Sequence, residues 1–374
     1  MFTMFTDRPG QFRISGSASL RAQLEMMVRA LLASPVRNRL MILGTAVFIV
    51  IVLTTYGQIR LNQWNQPFYD ALARRNLHEF WVQLGVFCII AGVLLVLNVL
   101  QRFLAETLKL RLREGLVDDL VGEWLRPGRA LRLSQEGSIG VNPDQRMHED
   151  ARHLTELSGD LGVELLQATI LLATFVEVLW KISGNFSLTI AGHRYLIHGY
   201  MVWGAIFYAG FGSLASYWVG GNLVTRNAER YQRESELRFA LMQTNEHIAE
   251  IEKSPKAIKD AAARILKGLQ GVLGAMWRLV FGVTNLTWVT AGYGWLTLVI
   301  PILIAAPAYF SGSLTFGGLM MAVGAFNQVQ QSLRWFVDNF SMIADWRATL
   351  LRVAEFRRAL LICDDVAKQA PSHA

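Results

Sequence analysis

Six long runs of apolar residues, separated by polar stretches, dominate the chain. They occupy residues 40–56, 80–100, 161–180, 200–219, 279–304 and 314–329. A helix needs about 20 apolar residues to cross the ~30 Å hydrocarbon core of a bilayer. The first five runs are close to that length or above it, and the sixth is shorter and rich in glycine. The pattern therefore predicts an all-α membrane protein with six spans.

The third run is predicted to be the end of a much longer helix. Asn142 is a suitable N-cap, and Pro143 suits the first helical position, where no N–H is needed. The chain continues without proline to Ile182, which gives a helix about 60 Å long at ~1.5 Å per residue. About half of it therefore projects into water. A break at Gly159 or Gly162, separating a soluble helix from a membrane helix, is the alternative.

Residues 1–39 are predicted to form a cytoplasmic N-terminal segment. One helical face of this segment carries four apolar residues, Leu20, Leu24, Met27 and Leu31. Such a face predicts a short amphipathic helix on the membrane surface, which Pro35 ends. For residues 1–18 a disordered basic tail is an equal alternative.

The distribution of charge agrees with a membrane topology. The chain is 52% hydrophobic with a formal net charge of +7, and its mean hydropathy of +0.30 is too high for a soluble protein. Of the 36 Lys and Arg residues, 31 lie in residues 1–39, 101–160, 220–278 and 330–374. Because positive residues favour the cytoplasmic side, we expect a multi-pass membrane protein with both termini in the cytoplasm. This clustering explains the positive charge without nucleic acid as a partner.

The connections between the runs are uneven in length. The two internal connections have about 60 residues each and are rich in helix formers, whereas the outer ones are short. We therefore expect the spans to continue as long cytoplasmic helix extensions, which is the plan of an exporter-type ABC transmembrane domain. The expected domains are this six-helix domain over residues 40–360 and a cytoplasmic tail over 361–374.

Four short stretches carry a family resemblance. They are residues 64–72 (WNQPFYDAL), 142–150 (NPDQRMHED), 236–251 and 326–347. Together and in this order they resemble the ABC transporter transmembrane region of the bacterial relatives of peroxisomal half-transporters, which is related to the SbmA/BacA peptide transporters. The resemblance extends over about residues 40 to 360.

The resemblance implies a homodimer in the lipid bilayer, with twelve helices around one central pathway. It also implies two cytoplasmic coupling helices per subunit that dock on nucleotide-binding domains, one in residues 136–149 and one in residues 245–255. The candidate coupling residues are Asp144, Gln145, Arg146, Glu149, Asp150, Asn245 and Glu246.

The source of energy is open at this stage. The sequence contains no GxxxxGK[ST] motif, which would hold nucleotide phosphates, so we expect no nucleotide-binding domain and no enzyme activity on this chain. The favoured function is a permease subunit that moves peptides or other amphipathic or hydrophilic compounds, powered by an ATPase on a separate subunit. The alternatives are SbmA/BacA-like proton-coupled peptide uptake and a non-transporting truncated scaffold. The region of Asn245 and Glu246 resembles the ATPase-fused branch more closely.

No cofactor or metal site is expected. His193 and His198 are five residues apart, and loop histidines explain that spacing more simply than metal ligands do. The two cysteines, Cys88 and Cys363, lie far apart and form no motif.

Five polar residues near or within the apolar runs are candidates for the transport pathway: Glu164, Glu177, Asn327, Gln328 and Gln331. Ionisable residues inside spans are costly and often functional. Glu177 precedes Lys181 by one helical turn, so a structural ion pair and a proton-binding role are both open. The amide residues either line a watery cavity or mark where the sixth helix leaves the membrane.

Overall fold

The computed structural model describes residues 19–135, 142–183, 187–190, 193–196 and 198–369, and these are almost entirely helical. The helices are α1 (Leu20–Ala33), α2 (Arg37–Ala73), α3 (Leu77–Trp124), α4 (Arg129–Gln135), α5 (Pro143–Gln145), α6 (Ala151–Ile182), α7 (Tyr200–Gly220), α8 (Leu223–Glu246), α9 (Ile248–Ile251), α10 (Pro255–Phe310), α11 (Phe316–Asp338) and α12 (Phe340–Gln369). A π-helical turn, Arg146–Asp150, joins α5 to α6. Two four-residue strands, β1 (Ser187–Ile190) and β2 (His193–Leu196), pair as an antiparallel hairpin. The prediction of an all-α membrane protein is confirmed.

Four helices in the described ranges are long and apolar enough to cross a membrane. They are α2, α3, the continuous helix Pro143–Ile182 and α10. The predicted runs 200–219 and 314–329 form α7 and most of α11, but these two helices are not among the four. Tyrosine, tryptophan and glycine dilute the apolar character of α7, and asparagine and glutamine do so in α11. The count of six spans stays a prediction.

The chain divides into two compact units. Unit one contains residues 1–175 and 335–374, and unit two contains residues 176–334. In unit one, α2 and α3 form a hairpin, and α1, α4, the π-helical turn and α12 pack near the far end of α3. An apolar core of unit one lies where these elements meet α3. It consists of Met27, Leu116, Leu120, Leu133, Ala151, Leu154, Leu350, Val353, Phe356 and Leu360.

The N-terminal helix forms as predicted, but its apolar face does not lie free on a membrane surface. Met27 is buried in the core of unit one, and Leu24 and Leu31 pack against it. Helix α1 contacts α3 and α12 there. Leu20, at the start of the helix, is exposed. Protein contacts therefore occupy the face that the sequence assigned to lipid, and residues 1–18 lie outside the described part.

In unit two, α10 packs against both α7 and α8. Small residues permit the close approach. A Cβ atom at Gly212 of α7 would lie 2.2 Å from the ring of Tyr293, and one at Gly282 of α10 would lie 2.7 Å from Leu223 of α8. Such glycine contacts are typical of helix packing in membranes.

The long helix of residues 143–182 is continuous, so the alternative of a break at Gly159 or Gly162 is wrong. Gly159 instead makes room for Lys109 of α3, whose Cγ lies 2.3 Å from where a Cβ atom would stand. The predicted cap is also corrected, because Asn142 has a left-handed backbone (φ 57°) and its side chain makes no capping hydrogen bond.

Candidate functional site

Helix α5 and the π-helical turn hold the first group of predicted coupling residues. Asp150 at its end is buried and accepts hydrogen bonds from Arg146 Nη1 at 2.7 Å and from Arg352 Nε and Nη2 of α12 at 3.1 and 3.0 Å. Burial alone would raise the pKa of this carboxyl, but the hydrogen bonds from Arg352 and Arg146 hold its pKa below the usual value. Two of the predicted coupling residues therefore fix the turn in place.

The other predicted residues of this region face outward. Asp144, Gln145 and Glu149 are exposed. A groove of about 560 Å³ runs between α3 and the turn, and its lining includes Arg113, Val117, Asp144, Met147 and His148. The part of the predicted coupling region over residues 136–141 lies outside the described residues.

Helix α12 is tied to α3 and α6 by several long-range contacts that sequence reasoning missed. Arg357 donates to both carboxylate oxygens of Asp119 at 2.7 and 3.1 Å. Trp346 donates to Ser158 at 2.9 Å, and His153 lies 2.7 Å from Asp345. The partners are about 190 to 240 positions apart along the chain, so no local pattern signals them.

The second predicted coupling region is a tight turn between α8 and α10 in unit two. Asn245 and Glu246 end α8, and both are exposed. The four-residue helix α9 follows, and α10 starts at Pro255. The structure thus places this pair at an exposed turn between two long helices, whereas Asp144 and Glu149 are exposed in the first turns of the long helix of residues 143–182.

The two carboxylates proposed for the pathway both lie at exposed positions. Glu164 accepts a hydrogen bond from Trp335 Nε1 at 3.2 Å. Glu177, whose side chain is 66% exposed, accepts from Lys181 Nζ at 2.6 Å. This local ion pair is one of the two alternatives that the sequence left open.

The amide residues of α11 are divided among different environments. Gln331 is exposed, and Gln328 and Asn327 are half-buried. Within the described residues, the Oδ1 atom of Asn327 has no hydrogen-bond partner. The buried amide of this run is Gln330, which donates to the Tyr293 hydroxyl at 2.8 Å.

A cluster in unit two surrounds Tyr293. The Tyr208 ring stacks on it at 4.3 Å, and the Tyr208 hydroxyl donates to the Tyr293 carbonyl at 2.7 Å. The Arg334 guanidinium lies 4.5 Å from the Tyr293 ring centroid. This cluster joins α7, α10 and α11. Tyrosines in an apolar run resemble interfacial aromatic residues, so sequence reasoning did not identify it.

Long apolar helices that extend into ion-paired bundles, with polar side chains inside their apolar segments, are the architecture of a membrane-transporter permease. Comparison with known proteins agrees with that class. The chain belongs to the SbmA/BacA-like family, whose model matches residues 37–361.

Several curated relatives carry names of ABC transporter proteins. The inner membrane ABC transporter ATP-binding protein YddA of Escherichia coli (strain K12) is 27% identical over 80% of this chain and 54% of its own length. The chloroplastic ABC transporter D family member 2 of Arabidopsis thaliana is 27% identical over 83% of this chain and 42% of that protein. An uncharacterized ABC transporter ATP-binding protein of Synechocystis is 26% identical over 78% and 42%. The chain spans about half the length of the curated relatives it matches.

Proposed function

We propose that this chain is the membrane-spanning permease part of an ABC exporter-fold transporter in the bacterial inner membrane. In this proposal it acts as a homodimer and moves peptides or other amphipathic or hydrophilic compounds. The energy comes from ATP hydrolysed by an ATPase domain. The observation that carries the proposal is the exposed acidic turn at Asp144 and Glu149, mounted on a buried ion pair.

The ion pair between Asp150 and Arg352 suits a coupling element. Asp144 and Glu149 offer negative charge to a partner, while Asp150 in the same segment is fixed to Arg352 of α12. Arg352 donates two charge-assisted hydrogen bonds to the same oxygen of Asp150, and the other oxygen accepts from Arg146. Charge-assisted hydrogen bonds are stronger than neutral ones. A displacement of the turn by a docked ATPase would therefore be passed to α6 and α12 together. The relatives named as ATP-binding proteins support this energy source.

An exposed seam on α10 supports the homodimer. Apolar residues recur there at alternating spacings of four and three: Ala262, Leu266, Leu269, Leu273, Met276, Val280 and Val283. All seven are exposed, whereas Ala261, Val272 and Ala275 are buried, and Gly268 lies against Leu237 of α8. A heptad spacing of apolar residues is typical of a helix that packs against another helix, and we assign the partner to a second copy.

Proton-coupled peptide uptake is the second candidate, and membership of the SbmA/BacA-like family favours it. It requires a carboxylate that binds and releases a proton within the pathway. The exposed Glu177, already paired with Lys181, is poorly placed for this role. The geometry therefore favours ATP coupling.

The test uses membrane vesicles from cells producing the full chain and a fluorescent peptide as probe. We expect uptake to require ATP and to be lost in the double variant Asp144→Arg, Glu149→Arg. Asp260→Arg, at an exposed carboxylate of α10 outside both turns, is the matched control and should transport normally. Glu177→Gln should also transport normally.

Two results would contradict the proposal. Uptake that follows an imposed pH gradient without nucleotide and disappears in Glu177→Gln would establish the proton-coupled candidate. Absence of uptake under either energy source, with the protein intact in the membrane, would favour a non-transporting scaffold.

A further inference from the structure

The buried face of α2 changes chemical character halfway along the helix. Its first half is apolar, with Val47, Val50 and Ile51. From Thr54 to Asn62 it is polar, with Thr54, Thr55 and Asn62, and Ala71 is buried near the end of the helix. These positions follow helical spacing, so they continue one face. The opposite side stays apolar and exposed at Phe48, Val52 and Tyr56. A helix in a bilayer that is apolar outside and polar inside places its hydrogen-bonding groups toward protein or water.

Three buried polar atoms of this face lack a hydrogen-bond partner within the described residues. The Oγ1 atoms of Thr54 and Thr55 and the Nδ2 atom of Asn62 have no hydrogen-bond partner. The three residues are only 1%, 4% and 6% exposed. Buried polar atoms are nearly always hydrogen-bonded, so each exception needs an explanation.

Other threonines of the molecule show that the two hydroxyls are unusual. Eight threonines in the described helices, including Thr169 and Thr174 of α6, donate to the backbone carbonyl four residues earlier. This bond is open to any threonine inside a helix. Thr54 and Thr55 lie inside α2 and do not make it. Valine would fill the same volume without a polar atom, so packing alone does not explain threonine at both positions.

We propose that the polar face of α2 from Thr54 to Asn62 is a hydrogen-bonding wall of the solute pathway. This inference rests on the proposed transport function. It adds the chemical class of the solute groups that bind at the wall, which are uncharged amides and hydroxyls. Gln58 lies on the same face. Arg60 is the one charged residue between positions 54 and 62, and it is exposed, 5.9 Å from the ring centroid of Tyr56. The wall therefore offers neutral donors and acceptors and no ion pair.

Cysteine labelling in membrane vesicles tests whether water reaches this wall. In a background with Cys88→Ser and Cys363→Ser, cysteine replaces Thr54, Thr55 or Asn62, and vesicles are treated with a membrane-impermeant cationic methanethiosulfonate. The reagent needs a hydrated thiolate. We expect modification at least tenfold faster at these positions than in Ile51→Cys, which is on the buried apolar half of the same face. Equal rates at all four positions would overturn the proposal.

Transport of a neutral capped oligo-alanine peptide tests the bound chemistry. The double variant Thr54→Val, Thr55→Val should lower uptake at least fivefold. Thr174→Val, which removes a hydroxyl bonded to its own backbone, should leave uptake unchanged. Parental uptake in the double variant would contradict a solute contact at these hydroxyls. Fast labelling in a parent protein that takes up no peptide would support the water-lined wall and count against peptide transport as the proposed function.

Discussion

The helical extensions of the two units are built in different ways. In unit one, residues from α1, α3, α4, α6 and α12 bury an apolar core that contains Leu120 and Phe356. In unit two, α8 and α10 touch through small residues, and large side chains such as Phe239 and Leu273 remain exposed. The first extension covers its own apolar surface, whereas the second leaves apolar surface exposed. For the proposed homodimer, we expect unit one to stabilise the monomer and unit two to contribute to assembly.

The largest expected effect concerns one phenylalanine from each extension. Phe356 of α12 is 1% exposed and Phe239 of α8 is 60% exposed. Phe356→Ala removes a fully buried ring and should cost about 3–5 kcal/mol of unfolding free energy, whereas Phe239→Ala should change it by less than about 0.5 kcal/mol. Thermal unfolding of the detergent-solubilised protein measures both. A larger loss for Phe239→Ala would reverse the comparison.

The ion pair that fixes the π-helical turn gives the next effect. Asp150→Asn keeps the side-chain shape but removes the charge that accepts from Arg352, and should cost about 1.5–3 kcal/mol at neutral pH. The folded-state pKa of Asp150 is lowered from the unfolded value of 3.8. Its contribution is therefore fully present above that value and is lost as pH falls through the lower, folded pKa.

Unfolding temperatures recorded between pH 7 and pH 3 check this prediction. The difference between the parent and Asp150→Asn should be constant near neutral pH and should shrink toward the acid end. A difference that grows on acidification would show that the ion pair is not its source.

A charge placed on the exposed seam of α10 should separate assembly from stability. Leu273→Glu would bury an unpaired carboxylate between two copies. We expect at least tenfold weaker dimerisation, about 1.4 kcal/mol, with little change in the unfolding temperature of the monomer. Ala263→Glu, an exposed position off the seam, is the control. Sedimentation in detergent measures both, and an unchanged dimer in Leu273→Glu would remove the seam from the interface.

The smallest expected effect lies within the apolar part of unit two. Tyr208→Phe deletes the hydroxyl that contacts the Tyr293 carbonyl and Thr297, and should cost about 0.6–1.5 kcal/mol. Tyr217→Phe, at a 77% exposed position of the same helix, should have no measurable effect. Equal unfolding temperatures for the two variants would show that the tyrosine cluster contributes little to holding α7 on α10.

Features that depend on near neighbours in the chain could be predicted from the sequence. The apolar runs located the helices because a membrane helix must be apolar over its own length. The pairing of Glu177 with Lys181 followed from a separation of one turn. The start of the long helix at Pro143 was also predicted from the residues around it, although Asn142 does not cap it through its side chain.

Features that join distant segments were decided by the tertiary structure alone. The amphipathic pattern of α1 does not say whether protein or lipid covers its apolar face, and the core around Met27 determines that protein does. Asp150 looked like another exposed coupling carboxylate until Arg352, 202 positions later, paired with it. The sequence does not distinguish Thr54 from other helical threonines, and only the structure shows that its hydroxyl is buried without a hydrogen-bond partner. The physical reason is the same in each case. Periodicity along a chain shows which residues share a face, but only packing decides what that face meets.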